Sequence, residues 1–459
     1  MNKVISKSGT DFTEGKLFKK FVLFAIPILL ANLLQQLFTT ADAIVIGRFS
    51  GPNSLGAVTA CAPVINLTIA SLIGLAVGVN VVVAQAIGRK QEDRAHRAVH
   101  SSMLFSIIVG IAVGVIGFFC RHQLVSLLGV KPVLEAKTAQ YLGVYFLGTP
   151  AVMVYNFGAN VLRAKGDSKR PLYFLLLSGV INVGLNLIFV IVCKMDVTGV
   201  ALATIISQAV SAVLVVICMI KEKDCTRLEI KKLRFYKKEL INVLVIGVPS
   251  MLNGIIFNVS NLIVHRAVNG INEMATTGNG IASNIENFTY LGMNAIYTTT
   301  LTVVGQNLGA NKFDRIKKSM FIGLVVVTIV GIIMGGISYL LRDSLCSLFA
   351  NDNTPIAVID FAKQRMKIIL FTYALCGLQE IFVAGIRGLG YSIVSTMMSF
   401  VFACIFRVVW ILTVYAKLQT NLSLFIVYPI SWAMLIISQA VMFIILFKKL
   451  KARASIKKD

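Results

Sequence analysis

The stretch "VVAQAIGRKQEDR", residues Val82 to Arg94, returns later in the chain as "VVGQNLGANKFDR", residues Val303 to Arg315. Both copies carry a glutamine, a glycine three residues later, and an Asp-Arg pair at the end. Two further anchors match at nearly the same shift: Pro27 with Pro249, and "NVLRAKGDS" at 160–168 with "AGIRGLGYS" at 384–392. Three matches in one order indicate that the two halves of the chain are copies of one repeat.

The composition indicates a membrane protein. Of 459 residues, 57% are hydrophobic and only 14% are charged, whereas soluble chains have roughly 25% charged residues. Apolar runs of about 20 residues, the length that crosses a bilayer, recur from Phe18 to Phe447 and give twelve predicted spans, the tenth over Met366–Ile386. Each repeat holds six.

An even number of spans per repeat makes the two repeats parallel. The predicted fold is an all-α polytopic membrane protein, with twelve transmembrane helices in two parallel six-helix repeats around a central cleft. The predicted domains are 1–220, a basic linker at 221–239, and 240–459. The linker is expected to form an amphipathic surface helix that packs Leu228, Leu233 and Phe235 on the cytoplasmic membrane interface.

The net charge of +24 reflects where the basic residues lie. Most of them fall in the two termini and the even-numbered loops, which by the positive-inside rule places both termini in the cytoplasm of a multi-pass cell (plasma) membrane protein. Anionic lipid headgroups are the expected contacts. No aromatic-basic pattern indicates nucleic-acid binding, and the eight cysteines include no CxxC pair, so we expect neither zinc nor disulfides.

A duplicated twelve-span chain with polar residues at mid-membrane is typical of secondary transporters. The sequence contains no GxxxxGK[ST] motif, which excludes direct use of ATP through a Walker A loop. It also lacks a HExxH motif and any recognisable pair of catalytic carboxylates. We therefore expect a transporter, not an enzyme, with no cofactor and with H+ or Na+ as the coupling ion.

One acid stands out in the first span. Asp42 lies in "QQLFTTADAIVIGRF", residues 35–49, in the outer half of the membrane. A carboxylate buried there can exchange a proton or bind sodium instead, which is what a coupling site requires. The alternative is a helix-end acid in a polar vestibule, paired with Arg48.

The fifth and sixth spans add polar groups. Ser178, Asn182 and Asn186 follow one another at four-residue spacing, so they share one helical face, and Thr204 lies in the sixth span. Amide oxygens can serve as ligands for a cation. Helix-to-helix hydrogen bonding is the competing interpretation.

These features together resemble the multidrug and toxic-compound extrusion (MATE) transporters, closer to the bacterial branch with an aspartate site in the first bundle. The resemblance is carried by Pro27 followed by Asp42, "GANVLRAKGDSKRP" at 158–171, the duplicated "QxxG…DR" motif and "GVALATIISQ" at 199–208. It implies two six-helix bundles, alternating access and export driven by proton or sodium entry. It also implies a cation site at Asp42, Asn182, Asn186 and Thr204, with no metal beyond sodium at Asp42.

The chain departs from the family pattern at several positions. Asn186 stands where relatives that couple in the first bundle often have Asp, which leaves Asp42 as the only acid there and puts the coupling ion in doubt. In the second bundle, the seventh span "IIFNVSN" at 255–261 has no acid, and Cys376 stands where another branch has Asp. A coupling site in the second bundle is therefore not expected.

Further polar, aromatic and methionine residues are candidates for a substrate-binding cleft. An arginine deep in the membrane needs a counter-charge, so Arg407 is predicted to pair with Glu286 or Glu380, either in the cleft or as a structural ion pair. Glu286 is expected to face the cleft and attract cations. The full candidate set is Gln36, Met153, Tyr155, Glu286, Tyr290, Met293, Glu380 and Arg407, and for the apolar members ordinary core packing is the alternative.

The sequence thus favours a secondary active exporter of lipophilic, cationic compounds, acting by antiport with protons or sodium. The alternative is a flippase for a lipid-linked glycan precursor, which would need a strongly cationic cavity for the diphosphate. Expected partners are small lipophilic or cationic substrates and the lipid bilayer, and we expect a monomer.

Overall fold

The computed structural model describes residues 9–349 and 354–456. Helices account for the regular structure of this part of the chain. Twelve long helical segments follow one another: α1 (Leu17–Phe49), α2 (Pro52–Gly88), α3 (Glu92–Phe119), α4 (Pro132–Leu147 with Thr149–Ala164), α5 (Lys169–Val192), α6 (Asp196–Lys221), α7 (Lys237–Asn269), α8 (Glu273–Gly309), α9 (Phe313–Leu340), α10 (Ile356–Gly388), α11 (Ser392–Leu418) and α12 (Asn421–Ile456).

These segments match the twelve predicted spans. Ten described helices are long and apolar enough to cross a bilayer, and the two halves of α4, bent by 45°, make an eleventh span. The remaining segment, α8, is 37 residues long but richer in Thr, Asn and Gly. The all-α, multi-pass membrane architecture predicted from the sequence is confirmed.

The backbone repeats along with the sequence. The turn after α2 places Lys90 at φ 57°, and the turn after α8 places Asn311 at φ 55°. The turns after α4 and α10 place Gly166 at φ 91° and Gly390 at φ 92°, a conformation that glycine adopts without steric penalty. The equivalent positions of the two repeats therefore share a left-handed backbone conformation.

The chain packs as two compact units. One comprises residues 9–11 and 30–251, and the other residues 12–29 and the described residues from 252 onward. The domain boundaries predicted at 220 and 240 follow the sequence repeats. In the structure, the first part of α1 belongs to the second unit and the first part of α7 belongs to the first unit. Each exchange point lies two residues after a proline inside the helix, Pro27 or Pro249. Proline removes a backbone hydrogen bond there and bends a helix.

Small residues allow the exchanged part of α7 to pack closely in the first unit. A Cβ on Gly78 would lie 2.2 Å from the carbonyl oxygen of Val243, and one on Gly74 would lie 2.5 Å from the Cα of Met251. Gly247 likewise approaches the backbone of α2. Glycines spaced four apart permit this close contact between membrane helices.

The linker between α6 and α7 is not the predicted amphipathic helix. It contains a single 3-10 turn, Ile230–Lys232. Leu228 is buried against the protein, and its N–H donates to Met219 O at 3.0 Å. Two side chains of α3 also accept hydrogen bonds from the linker backbone. The N–H of Glu229 donates to His100 Nε2, and the N–H of Tyr236 donates to Ser101 Oγ. Because side chains of α3 satisfy these backbone groups, the linker does not need the hydrogen bonds of a continuous helix.

An ionic network joins the loop after α4 to the start of this linker. Lys165 Nζ lies 2.6 Å from a Glu222 carboxylate oxygen and 3.2 Å from Asp224, and all three side chains are buried. Although burial disfavours its charge, hydrogen bonds from Thr226 and the nearby Lys165 ammonium lower the pKa of Asp224. In the second repeat Leu389 occupies the position of Lys165, so this network belongs to the first unit alone.

Candidate ion-coupling site

Asp42 of α1 binds two other helices of the first unit. Asn186 Nδ2 of α5 donates to one carboxylate oxygen at 2.5 Å, and Thr204 Oγ1 of α6 lies 3.4 Å from the other. No ion pair of Asp42 is found in the described chain, and the alternative partner Arg48 does not contact it. Asp42 is thus a carboxylate held by neutral donors inside the membrane region.

The helical face of α5 provides the amides. Asn186 Nδ2 also lies 3.3 Å from Asn182 Oδ1, as their four-residue spacing allows, and both residues are buried. Asn186 Oδ1 is buried without a hydrogen-bond partner. The structure therefore brings together the four residues Asp42, Asn182, Asn186 and Thr204, with one amide oxygen unused.

Close packing holds α5 against α1 at this site. A Cβ on Gly179 would lie 1.8 Å from the ring of Phe38, whereas one on Gly184 would meet nothing within 4 Å. The two glycines flank Asn182 on the same helix. Gly179 accordingly permits the approach of α5 to α1 that puts the amides beside Asp42.

Sequence reasoning missed Tyr141 of α4. This residue is buried, and its phenol is close enough to Asp42 for the two groups to interact electrostatically. A single tyrosine within an apolar span gave no periodic signal. The sequence therefore carried no signal that linked Tyr141 to Asp42.

In the second unit, Glu286 has a partner that the sequence did not suggest. Arg365 Nε and Nη2 donate to the two carboxylate oxygens of Glu286 at 2.9 and 2.7 Å. The Glu286 side chain is 8% exposed and the Arg365 side chain 4% exposed. Arg365 also donates to Asn279 Oδ1. Glu286 is therefore a member of a buried, bidentate ion pair rather than an uncompensated acid.

The prediction that Arg407 pairs with Glu286 or Glu380 is wrong. Its guanidinium donates to Ser431 Oγ at 3.0 and 3.1 Å and to the side chains of Ser260 and Asn261, and it lies 4.5 Å from the ring centre of Tyr428. A guanidinium is weakly hydrated and has five donors, so hydroxyls, an amide and an aromatic face can satisfy it. The predicted counter-charge was unnecessary.

Glu380 is buried without a salt bridge in the described part of the second unit. Gln379 Nε2 donates to it at 2.7 Å, and the phenols of Tyr290 and Tyr297 lie within electrostatic range. Arg387 Nη1 donates to the Tyr297 hydroxyl at 2.7 Å. Arg387 also lies within electrostatic range of Glu380, so Glu380, unlike Asp42, has a cation nearby.

The other cleft candidates are divided between the two units. Met153 and Met293 are fully buried, and Met293 packs against Gly331 and Gly377, whose Cβ atoms would lie 3.2 and 3.3 Å from its side chain. Tyr155 is buried and donates its hydroxyl to Pro171 O at 3.1 Å. Gln36 and Tyr290 are half-buried. The methionines thus fill cores within the units.

Comparison with known proteins places this fold in a class. The family model described as MatE matches residues 27–188 and 249–413, beginning in each repeat at the matched proline. The chain is 27% identical over 430 residues, 92% of both proteins, to "Probable multidrug resistance protein YoeA" of Bacillus subtilis (strain 168). It is 22% identical over 390 residues to "Multidrug export protein MepA" of Staphylococcus saprophyticus, covering 84% of this chain and 85% of that protein.

Solved structures share the fold. A MATE crystal structure in complex with MaL6 superposes with a TM-score of 0.89 at 19% identity, covering 99% of this chain and 100% of that one. A multidrug resistance MATE family transporter in an outward-facing conformation gives 0.86 at 21% identity with the same coverage. The protein is therefore a multi-pass membrane transporter and not an enzyme. It belongs to the MatE family, the MATE transporters.

Proposed function

We propose that the protein exports lipophilic, cationic compounds from the cell by antiport, with Asp42 as the residue that binds the coupling ion. The relatives described as multidrug resistance and export proteins support the export of varied compounds. The geometry of Asp42 supports the coupling role. It is a membrane-embedded carboxylate with neutral hydrogen-bond donors and no ion pair in the described chain.

The proton is the coupling ion that these contacts favour. An ionised Asp42 accepts hydrogen bonds from Asn186 and Thr204, so it joins α1 to α5 and α6. When the carboxyl is protonated, one of its oxygens carries a hydrogen and becomes a donor. That oxygen then no longer accepts a hydrogen bond as it does in the ionised carboxylate. Binding and release of one proton would therefore change the contacts between these three helices, which is how a charge could be coupled to a conformational change.

Sodium is a second candidate, supported by a specific observation. Asn186 Oδ1 is buried without a hydrogen-bond partner, and Asn182 Oδ1 lies on the same helical face. Rotation of the Asn186 amide would turn an oxygen towards Asp42, and oxygen ligands are what hard cations prefer. With asparagine in place of a second acid, such a site carries one negative charge, which favours a monovalent cation.

The acids of the two units suggest the charge of the substrate. Arg365 neutralises Glu286, whereas Asp42 and Glu380 have no ion-pair partner in the described chain. Arg387 lies within electrostatic range of Glu380, so the preference for cations over anions rests on Asp42. A glycan-diphosphate flippase would need uncompensated cations. The ion pair removes Arg365 from that role, whereas Arg407, which is held by hydroxyls and an amide, keeps the flippase as the alternative.

Dye efflux from proteoliposomes tests the proposal. With an imposed pH gradient in sodium-free buffer, the wild-type protein should move a cationic dye against its gradient. Asp42→Asn should abolish this movement, while Asp42→Glu should retain part of it because the group still ionises. Ion-driven efflux that persists in Asp42→Asn would refute the role of Asp42.

Two further conditions separate the alternatives. Efflux driven by a sodium gradient at equal pH on both sides would identify sodium instead of the proton. Glu380→Gln is the matched neutralisation in the second unit, and it should weaken transport of cationic dyes while leaving the choice of ion unchanged. Equal transport of cationic and neutral dyes by Glu380→Gln would contradict a substrate-facing role for Glu380.

The proposed location is the cell membrane with both termini in the cytoplasm. The concentration of basic residues in the termini and the even-numbered loops supports this orientation. It places the exposed Cys120 and Cys193, at the ends of α3 and α5, on the outer side.

A further inference from the structure

The segment Ile230–Lys238 of the linker forms a surface that is both basic and apolar, called here the linker patch. Its sequence, "IKKLRFYKK", contains five Lys or Arg residues and no acid. Ile230 is 65% exposed and Phe235 is 47% exposed. Large apolar side chains that stand among lysines are typical of segments that lie on a membrane surface.

The linker patch is held in place from both sides. Before it, the N–H of Glu229 donates to His100 Nε2 at 3.0 Å, and the Glu229 carboxylate binds Lys232 at 2.9 Å. Near its end, the N–H of Tyr236 donates to Ser101 Oγ at 2.8 Å. The exposed side chains therefore belong to a stretch whose backbone is anchored to α3 at both ends.

The anchoring residues place the linker patch at the level of the membrane surface. Ser101 comes just before the apolar run of α3 that starts at Met103, and the linker itself connects the ends of two spanning helices, α6 and α7. The acids that flank the linker patch neutralise only Lys232. Glu239 does not pair with the patch, because its carboxylate lies 3.2 Å from Arg94. The remaining positive charges of the linker patch are available to an external anion.

We infer that the linker patch docks on the anionic phospholipids of the adjacent leaflet. Ile230 and Phe235 would enter the interface between headgroups and acyl chains, and the lysines would lie against the lipid phosphates. Each basic residue near an anionic membrane surface adds roughly a fivefold preference. Because the linker is bonded to α3 and continues into α7, bound lipid would restrain the parts of the first unit to which it is attached.

Quenching by brominated lipids tests this inference. Phe235→Trp is reconstituted in nanodiscs in which phosphatidylcholine and phosphatidylglycerol both carry bromine near the headgroup, so that the bromine content stays constant as the fraction of phosphatidylglycerol increases. The unsubstituted protein already contains Trp410 and Trp432. Its fluorescence is therefore subtracted from that of the variant to give the signal of the added tryptophan. We expect this signal to be quenched more strongly as phosphatidylglycerol increases, and the effect to weaken in about 0.5 M salt, where the Debye length falls well below 10 Å.

Matched variants isolate the charge. With Lys231, Lys237 and Lys238 changed to Gln, the preference for anionic lipid should fall by roughly 100-fold, the product of three fivefold factors, so phosphatidylglycerol should no longer raise the quenching. The same three changes to Arg should have little effect. An unquenched tryptophan at every lipid composition would overturn the inference. Quenching that does not depend on the fraction of phosphatidylglycerol would also overturn it. The same holds for a signal that responds only to an added soluble polyanion such as polyglutamate.

Discussion

Replacing Glu286 with glutamine should destabilise the second unit rather than remove a contact with substrate. Both carboxylate oxygens of Glu286 accept hydrogen bonds from Arg365, and both side chains are more than nine-tenths buried. Glutamine keeps one oxygen acceptor but removes the negative charge. The change would leave the guanidinium of Arg365 buried and without its counter-charge.

The size of the effect follows from that burial. Breaking a buried ion pair by removing one partner costs about 3–5 kcal/mol. One of the two hydrogen bonds can persist to the glutamine oxygen, and Asn279 still accepts from Arg365, so we expect the lower end, about 3 kcal/mol. Because about 1.4 kcal/mol corresponds to a tenfold change, the unfolding equilibrium would shift by roughly 100-fold.

The assay is thermal stability of the purified protein, read as the fraction that remains monodisperse after heating. Glu286→Gln and Arg365→Gln should each lower the midpoint temperature, and the double variant should lose less than the sum, since it leaves no unpaired charge. Efflux of cationic and neutral dyes by Glu286→Gln should fall in parallel with the amount of folded protein. A normal midpoint combined with selective loss of cationic substrates would refute this reasoning and return Glu286 to a binding role.

Three further outcomes can be checked. Lys165→Met should lower the free energy of unfolding by less than about 3–5 kcal/mol, the cost of a fully broken buried ion pair, since Glu222 keeps its ion pair with Arg170 and Asp224 keeps its bond from Thr226; an unchanged midpoint would show that the network is dispensable. Gly179→Ala should impair ion-driven efflux by forcing a phenylalanine ring of α1 away from α5. Gly184→Ala, with open space at its Cβ, should leave efflux intact and serve as the control. A membrane-impermeant maleimide should label Cys120 and Cys193 in intact cells, and labelling only after lysis would reverse the proposed orientation.

The sequence predicted the fold well because the repeat and the apolar runs are independent signals. The matched turns at Lys90 and Asn311, and at Gly166 and Gly390, have matching backbone conformations. Four-residue spacing on α5 also predicted that Asn182 and Asn186 share a face, whereas their placement with Thr204 around Asp42 was implied by the resemblance to the MATE transporters. These signals are local in the chain or arise from its duplication.

Side-chain partners in the second unit were not predictable in the same way. The tenth span was predicted to begin at Met366, but α10 begins at Ile356, because a helix can extend past its apolar run. Arg365 therefore looked like a loop residue, and its pairing with Glu286 was missed. Arg407 was given an acid as its partner, although hydroxyls from two other helices satisfy it. Such pairings depend on distances between helices that composition does not encode.

The exchange of segments between α1 and α7 bears on how the protein is made. The first unit includes residues 240–251, where α7 packs on Gly74 and Gly78, so it lacks part of its core until the ribosome has begun the second repeat. A six-helix chain made alone would expose that surface.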